Sequence, residues 1–351
     1  MRRMDWMIYG ATGYTGRLIA KEAVRRGLKP VLGGRNADAL EEMGAELKLP
    51  YRVLSLDNPD TLHHGLHALG LVLHCAGPFS QTCKPMLEAC LDVGCHYLDI
   101  TGEIDVFAHC HAQHDRAMKR GIVVLPGSGF DVVPTDCLAA QLKARMPDAR
   151  RLVLAFEAGG GPSRGTALTS VEGLGKGGRI RRNGQLQTVP LGWRSRSFER
   201  DGEQRTAVTI PWGDVYTAYV STGIPDIEVY MAVPPSTVKR LRWLRWFRPF
   251  LGLGPIQSWL KAKVRKQGAG PSEKKREKTR THVWGEVYGS DDEMIRQRLE
   301  TPNGYELTVT ASLGLVEHLL ANRVAGGYYT PSQLMGSDYI NRLPGVTAFD
   351  G

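Results

Sequence analysis

Nowhere in these 351 residues does an apolar run approach the roughly 20 residues that a helix needs to cross a bilayer, so a membrane-spanning chain is not expected. Arg2 and Arg3 lead straight into a strand-like stretch, without the apolar segment and small-residue cleavage site of a secretory leader. Cysteine is sparse. The six thiols, at positions 75, 83, 90, 95, 110 and 137, are too few to staple a chain of this length, and reduced thiols in a cytoplasm are the expectation. No tyrosine is followed four positions later by lysine, so the Tyr-x-x-x-Lys acid of short-chain dehydrogenases is missing, which argues against an ordinary ketoreductase of that class. Acidic residues are outnumbered 36 to 45, but unevenly: residues 236–280 hold 14 Lys and Arg against two Glu. That segment alone exceeds the chain's net charge of +9, so basicity belongs to it and not to the fold.

What is present begins at the N-terminus. Tyr9-Gly10-Ala11-Thr12-Gly13-Tyr14-Thr15-Gly16-Arg17 follows the apolar run Trp6-Met7-Ile8 and precedes a helix-like stretch, Leu18 to Arg26. A strand turning sharply into a helix needs a glycine with free φ at Gly10. Gly13 admits a pyrophosphate to the backbone, and Gly16 lets helix and strand pack closely, while the helix N-terminus offers N–H groups to phosphate. The spacing is G-x-x-G-x-x-G, a variant of the commoner dinucleotide loop, and the context of strand before and helix after gives it weight. Where the second strand ends, a carboxylate ordinarily accepts from the adenosine ribose of NAD. Here stands Gly33-Gly34-Arg35-Asn36, and Arg35 suits a 2′-phosphate, so NADP(H) is the expected cofactor.

Apolar runs at Tyr51–Leu54, Leu69–Cys75, His96–Ile100 and Ile122–Leu125 alternate with helical patterns at Pro59–Ala68, Lys84–Val93, Ile104–Arg120 and Pro134–Arg145. That alternation predicts a Rossmann-type, doubly wound parallel sheet with its chemistry at the carboxyl ends of the strands. A chain of 351 residues is too long for this domain alone. A second, α+β domain on a largely antiparallel sheet is expected from β-like runs at 150–157, 208–210, 215–220, 227–233, 281–288 and 305–312. The open edge of such a sheet makes a homodimer plausible.

The strand ends carry Cys75-Ala76-Gly77-Pro78-Phe79, then Asp99-Ile100-Thr101-Gly102-Glu103, then Gly127-Ser128-Gly129-Phe130-Asp131. Asp99, Glu103 and Asp131 are the ionisable candidates for a proton donor, since burial raises a carboxyl pKa; helix capping is the competing use of Asp99 and Glu103. His109, Cys110, His111 and His114 fall at helical spacing and read as a half-buried helix face, so no metal is expected.

Residues 10–17 (GATGYTGR), the segment 74–103 (HCAGPFSQTCKPMLEACLDVGCHYLDITGE) and 127–136 (GSGFDVVPTD) together resemble the saccharopine dehydrogenase-like family, more narrowly its branch of trans-acting enoyl reductases. Gly161–Thr166 and Ala325–Pro331 extend the likeness. The resemblance implies an NADP-binding domain over 1–137, a substrate and dimerisation domain over 138–319, and a segment 320–351 that returns to the first domain. It also implies that Gly10, Thr12, Gly13, Tyr14, Thr15 and Gly16 hold the pyrophosphate, that Arg35 holds the 2′-phosphate, and that Ala76, Gly77 and Pro78 border the nicotinamide half. Three readings stay open: hydride transfer to a C=C bond of an acyl substrate, imine and secondary-amine chemistry on an amino-dicarboxylic acid, or an NADPH-binding adaptor at a lipid surface without turnover. The second would need arginines converging on carboxylates, for which Arg164, Arg179, Arg181 and Arg182 are candidates.

Within the basic segment, Arg242–Leu251 at helical spacing sets arginines 242, 245 and 248 against Trp243, Trp246, Phe247 and Phe250, with Pro249 as an interruption. Packing of these aromatics on the domain's own core is the simpler reading. The other is a peripheral membrane or acyl-carrier contact through 239–280; nucleic acid is not expected, since no recognition module surrounds the charge.

Overall fold

The computed structural model describes residues 4–350 except 267, 269 and 292, and leaves the side chains of 248, 249, 349 and 350 undescribed. The arginines at 2 and 3, the Arg248 side chain, the ring of Pro249 and Ala269 of the basic loop lie outside what it describes. Along the chain run β1 (Trp6–Tyr9), α1 (Tyr14–Arg25), β2 (Val31–Gly34), α2 (Ala37–Leu47), β3 (Tyr51–Val53), α3 (Pro59–Leu66), β4 (Leu71–His74), α4 (Phe79–Val93), β5 (His96–Asp99), α5 (Ile104–His111), α6 (His114–Arg120) and β6 (Val123–Leu125). Next come α7 (Val133–Arg145), β7 (Arg151–Ala158), α8 (Arg164–Leu174), β8 (Gly178–Arg182), β9 (Gln185–Val189), β10 (Ser195–Arg200), β11 (Glu203–Thr209), α9 (Asp214–Thr222) and β12 (Asp226–Ala232). The remainder holds α10 (Pro235–Leu244), α11 (Arg248–Leu251), α12 (Gly254–Arg265), α13 (Glu273–Lys278), β13 (Arg280–Tyr288), β14 (Met294–Pro302), α14 (Gly304–Ala321), β15 (Gly327–Tyr328), α15 (Pro331–Met335) and β16 (Thr347–Asp350).

The chain divides into two compact units. The first comprises Met1–Val133 and Tyr305–Met335, the second Pro134–Gly304 and Gly336–Gly351. In the first, a wholly parallel sheet has the order β15-β6-β5-β4-β1-β2-β3. Strands β1, β2 and β4 are buried along their whole length, as a parallel sheet covered on both faces requires, which is why they read as continuous apolar runs. The order reverses between β1 and β4, so the loops leaving these two strands lie side by side at the switch point.

In the second unit the order is β10-β11-β12-β7-β13-β14-β16, with β8 joined to β12 and β9 to β8. All of its pairings are antiparallel except β12 with β7. One face of this sheet packs Val153, Ala155, Phe198, Ala207, Tyr230 and Trp284 into a core cluster, and the Trp284 indole donates to Glu199 O.

Two of the strand expectations are overturned. Residues 215–220 lie in α9 and residues 305–312 in α14. Both stretches are rich in β-branched and aromatic side chains, which carry strand propensity, but α14 is buried through much of its circumference, from Leu307 to Leu319, and burial decides over propensity. The helix expected from Ile104 to Arg120 is broken into α5 and α6 at Ala112-Gln113. Helix α14 belongs with the first unit, where Tyr305 packs edge-on to Tyr14 at 5.1 Å and Glu317 pairs with Arg26 at 2.9 Å. The last strand, β16, hydrogen-bonds β14 of the second unit. The units thus divide at 133/134, 304/305 and 335/336, where the sequence led us to expect 137 and 319.

Candidate active site

Gly10 leaves β1 with φ +82°, and its N–H and that of Ala11 both donate to Gly33 O, at 2.8 and 3.1 Å. A Cβ on Gly10 would lie 2.8 Å from Ala76 N, so only glycine lets the two switch-point loops touch. At Gly16 a Cβ would come within 2.3 Å of Gly10 O. Gly13 is the N-cap of α1 and no side chain caps the helix, so its positive end faces outward, the arrangement that receives a pyrophosphate. These backbone features fit a dinucleotide in a way that a mere glycine turn does not require. Thr12, Tyr14 and Thr15 line the same loop, half-buried. Beyond β2, Arg35 is exposed and, among the described residues, its guanidinium has no hydrogen-bond or carboxylate partner. Asn36 takes over the capping of α2 by accepting from Ala39 N, which leaves Arg35 to the loop.

The second switch-point loop is held from beneath. Thr82 Oγ1 lies 2.7 Å from Ala76 O and 3.0 Å from His74 Nε2. With the hydroxyl proton given to the carbonyl, His74 must donate from Nε2, leaving Nδ1 bare; Nδ1 is buried and has no partner among the described residues. Burial pushes the His74 pKa down to about 3, so the ring is neutral. Sequence reasoning did not single His74 out, and the one signal available was its place as the polar end of an otherwise apolar strand. Ala76, Gly77 and Pro78 follow it, directly before α4.

The three acids come together at the carboxyl ends of β5 and β6, with distinct surroundings. Asp99, fully buried, accepts from Tyr97 Oη at 2.7 Å and from the N–H groups of Thr101 and Gly127, both at 2.9 Å. Burial drives its pKa up to about 6 against those three hydrogen bonds, with the Glu103 charge adding to the rise. It ties two strand ends together. Glu103 does not cap α5 by its side chain; it accepts from Phe79 N at 2.8 Å and Ser80 N at 2.9 Å, and so caps α4. Asp131 is pushed up to about 7, by burial first and then by the Glu103 charge. A Cβ on Gly102 would strike its Oδ2 at 2.7 Å. The loop bearing Asp131 is anchored on α14, with Phe130 N donating to Thr308 Oγ1 and the hydroxyls of Ser128 and Ser312 3.0 Å apart.

The histidines at 109, 111 and 114 do not share a point. His114 Nδ1 accepts from Tyr328 N, and His111 stacks on the Tyr328 ring at 4.6 Å. Among the described residues, donors within metal-binding range come together at Cys83, Asp99 and Cys110. The two sulfurs are 3.5 Å apart, and burial raises the Cys110 thiol well above its ordinary range, which favours protonated sulfur there. All six cysteines are free thiols.

Residues 6–125 match the family model described as the saccharopine dehydrogenase NADP binding domain. The chain is 34% identical over 149 residues to a probable mitochondrial saccharopine dehydrogenase-like oxidoreductase of Arabidopsis thaliana, covering 38% of this chain and 33% of that protein. It is 30% identical over 157 residues to a trans-acting enoyl reductase of Mycobacterium leprae, covering 42% and 38%. Against the human saccharopine dehydrogenase-like oxidoreductase the figures are 27% over 219 residues, 54% and 51%. The chain thus spans a third to a half of the length of these relatives. Apo saccharopine dehydrogenase (L-Glu forming) from Saccharomyces cerevisiae shares the fold, with a TM-score of 0.67 over 99% of this chain and 100% of that one at 9% identity. Residues 6–125 are therefore similar to the saccharopine dehydrogenase NADP binding domain, and the dinucleotide that such a domain takes is NADP(H).

Proposed function

We propose that this protein is an NADP(H)-dependent reductase that saturates a C=C bond conjugated to the carbonyl of an acyl substrate. NADPH, when bound, supplies a hydride to the β-carbon of such a group. The backbone from Gly10 to Gly16 and the start of α1 hold its pyrophosphate, Arg35 its 2′-phosphate, and Ala76, Gly77 and Pro78 flank its nicotinamide half. Asp131 holds the proton that the α-carbon takes up. The observation that carries the reading is that this carboxyl lies against Gly102, between the ends of β5 and β6, with its pKa pushed up to about 7 by burial, so that roughly half of it holds a proton at neutrality. Asp99 and Glu103 serve instead to position the loops, since their oxygens are committed to Tyr97, Thr101 and Gly127, and to Phe79 and Ser80.

The imine reading needs several guanidiniums around two carboxylates. Arg181 instead donates to Val215 O and Gly184 O and stacks on Tyr219, 4.0 Å from the ring centre. Arg182 lies on the opposite face of β8 from Arg179 and Arg181, and Arg164 is exposed at the start of α8. The mycobacterial relative's name points the same way as this arrangement.

The test is to incubate full-length protein with NADPH and an enoyl thioester, and separately with 2-oxoglutarate plus lysine, following loss of NADPH absorbance. Turnover with the thioester is expected. Turnover with the second mixture alone would replace this reading by the imine one, and tight NADPH binding with neither turnover would favour the adaptor.

A further inference from the structure

The second unit presents an aromatic and basic surface that takes no part in the activity proposed above. Twelve large hydrophobic side chains are exposed among the described residues, and six of them fall between 243 and 259: Trp243, Trp246, Phe247, Phe250, Leu253 and Trp259. Trp246 is 74% exposed and Trp259 64%. The expectation that these aromatics pack on the domain's own core is therefore overturned. The helix is also discontinuous: α10 ends at Leu244, a 3-10 turn covers Arg245–Phe247, and α11 restarts with proline in its first turn.

The segment is nonetheless fixed to its unit by the other side. Val238 and Val264 are buried, Gln257 Nε2 donates to Val171 O and Leu251 O, and Lys261 pairs with Glu172 at 2.6 Å. Gly175 lies so close to Gly252 that a Cβ there would meet Gly252 Cα at 2.7 Å. With that side committed to α8, the aromatic side is presented to solvent. The sequence carries nine Lys and Arg between 239 and 266, and no Asp or Glu occurs from 229 to 272. Arg245 lies 5.6 Å from the Trp246 ring centre and Lys263 5.8 Å from that of Trp259, and Arg242 reaches Ser195 Oγ beside a further exposed indole, Trp193.

We infer that this face docks the protein on an anionic phospholipid membrane. Tryptophan favours the headgroup level of a bilayer, where its ring is apolar and its N–H stays wet, and flanking cations answer anionic headgroups. Charge of one sign from 229 to 272, with Lys261 turned to Glu172 on the anchored side, fits a lipid surface better than the mixed rim of a protein interface. Among the described residues no helix is long and apolar enough to cross a membrane, so the contact is peripheral.

The test uses the full chain in vesicle co-sedimentation, independent of NADPH and turnover. Vesicles mixing phosphatidylcholine with phosphatidylglycerol should bind, and pure phosphatidylcholine or high salt should weaken binding at least about tenfold. Trp246→Ser with Trp259→Ser, and separately Arg240→Glu with Arg245→Glu, should each lose at least about tenfold. NADPH affinity and thermal melting should be unchanged, since these side chains are exposed. Absence of vesicle binding, binding that both variants retain, or a dimer that the tryptophan variant converts to monomer without any vesicle binding would overturn the inference.

Discussion

Glu103 Oε1 accepts a 2.8 Å hydrogen bond from the backbone N–H of Phe79, the first residue of α4, and Oε2 takes the next N–H, that of Ser80. A carboxylate from one strand-end loop thereby fixes the start of the helix that follows the other. The same charge helps raise the pKa of Asp131.

Glu103→Gln should consequently act twice. Replacing charge-assisted bonds at a helix N-terminus costs about 1–2 kcal/mol. Chemical denaturation should show that loss, and carboxyl NMR titration should show the Asp131 pKa falling below about 7 while staying above the ordinary carboxylate range, because burial is its larger cause. An unmoved Asp131 would separate the two acids.

The pH dependence of stability has a definite sign at Asp131. Its folded pKa, about 7, exceeds the ordinary 3.8, so its favourable contribution is full below about 4 and is lost as pH rises through 7. His74 works oppositely: with a pKa pushed down from 6.5 to about 3, its contribution is present above 6.5 and lost on acidification. The whole-protein curve mixes the two, so the comparison must be variant against wild type. Asp131→Asn should gain stability relative to wild type on going from pH 5 to pH 8; equal denaturation midpoint differences at both would refute the raised pKa. The same variant should abolish the fall in reduction rate that we expect above about pH 7.

Arg35→Ala should weaken NADPH binding by at least about tenfold and leave NADH binding unchanged, since a charge-assisted bond to a phosphate contributes about 1.5–3 kcal/mol. Calorimetric titration with each dinucleotide decides it. Equal losses for both would place the 2′-phosphate elsewhere.

Glycines 13 and 16 should differ in their response to alanine. A Cβ at Gly16 meets Gly10 O at 2.3 Å, a backbone atom that has nowhere to go, whereas at Gly13 the same oxygen is 3.1 Å away. Gly16→Ala should destabilise by about 1–3 kcal/mol and impair NADPH binding, with Gly13→Ala milder in thermal melting. The reverse order would mean that the loop is not packed as described.

The sequence by itself determined the glycine loop after β1 and six of the seven strands of the first sheet, missing the short edge strand β15. Strands buried on both faces must be apolar throughout, and a strand-to-helix turn on a phosphate demands glycine at particular places, so Trp6–Tyr9, Gly10, Gly16 and the βα alternation announce themselves in one dimension. Tertiary structure alone decided the rest. Residues 305–312 read as a strand but are helical because α14 is enclosed by the first unit, where Thr308 and Ser312 anchor the loop of Asp131 across a separation of nearly 180 residues and more. Asp99, Glu103 and Asp131 look alike in sequence; what separates a strand clamp, a helix cap and a carboxyl of raised pKa is which donors surround each one and how far burial disfavours its charge. Whether Trp246 and Trp259 were core or surface was likewise undecided until the neighbours of α12 were known, because helical spacing shows that a face exists without showing which side the domain covers.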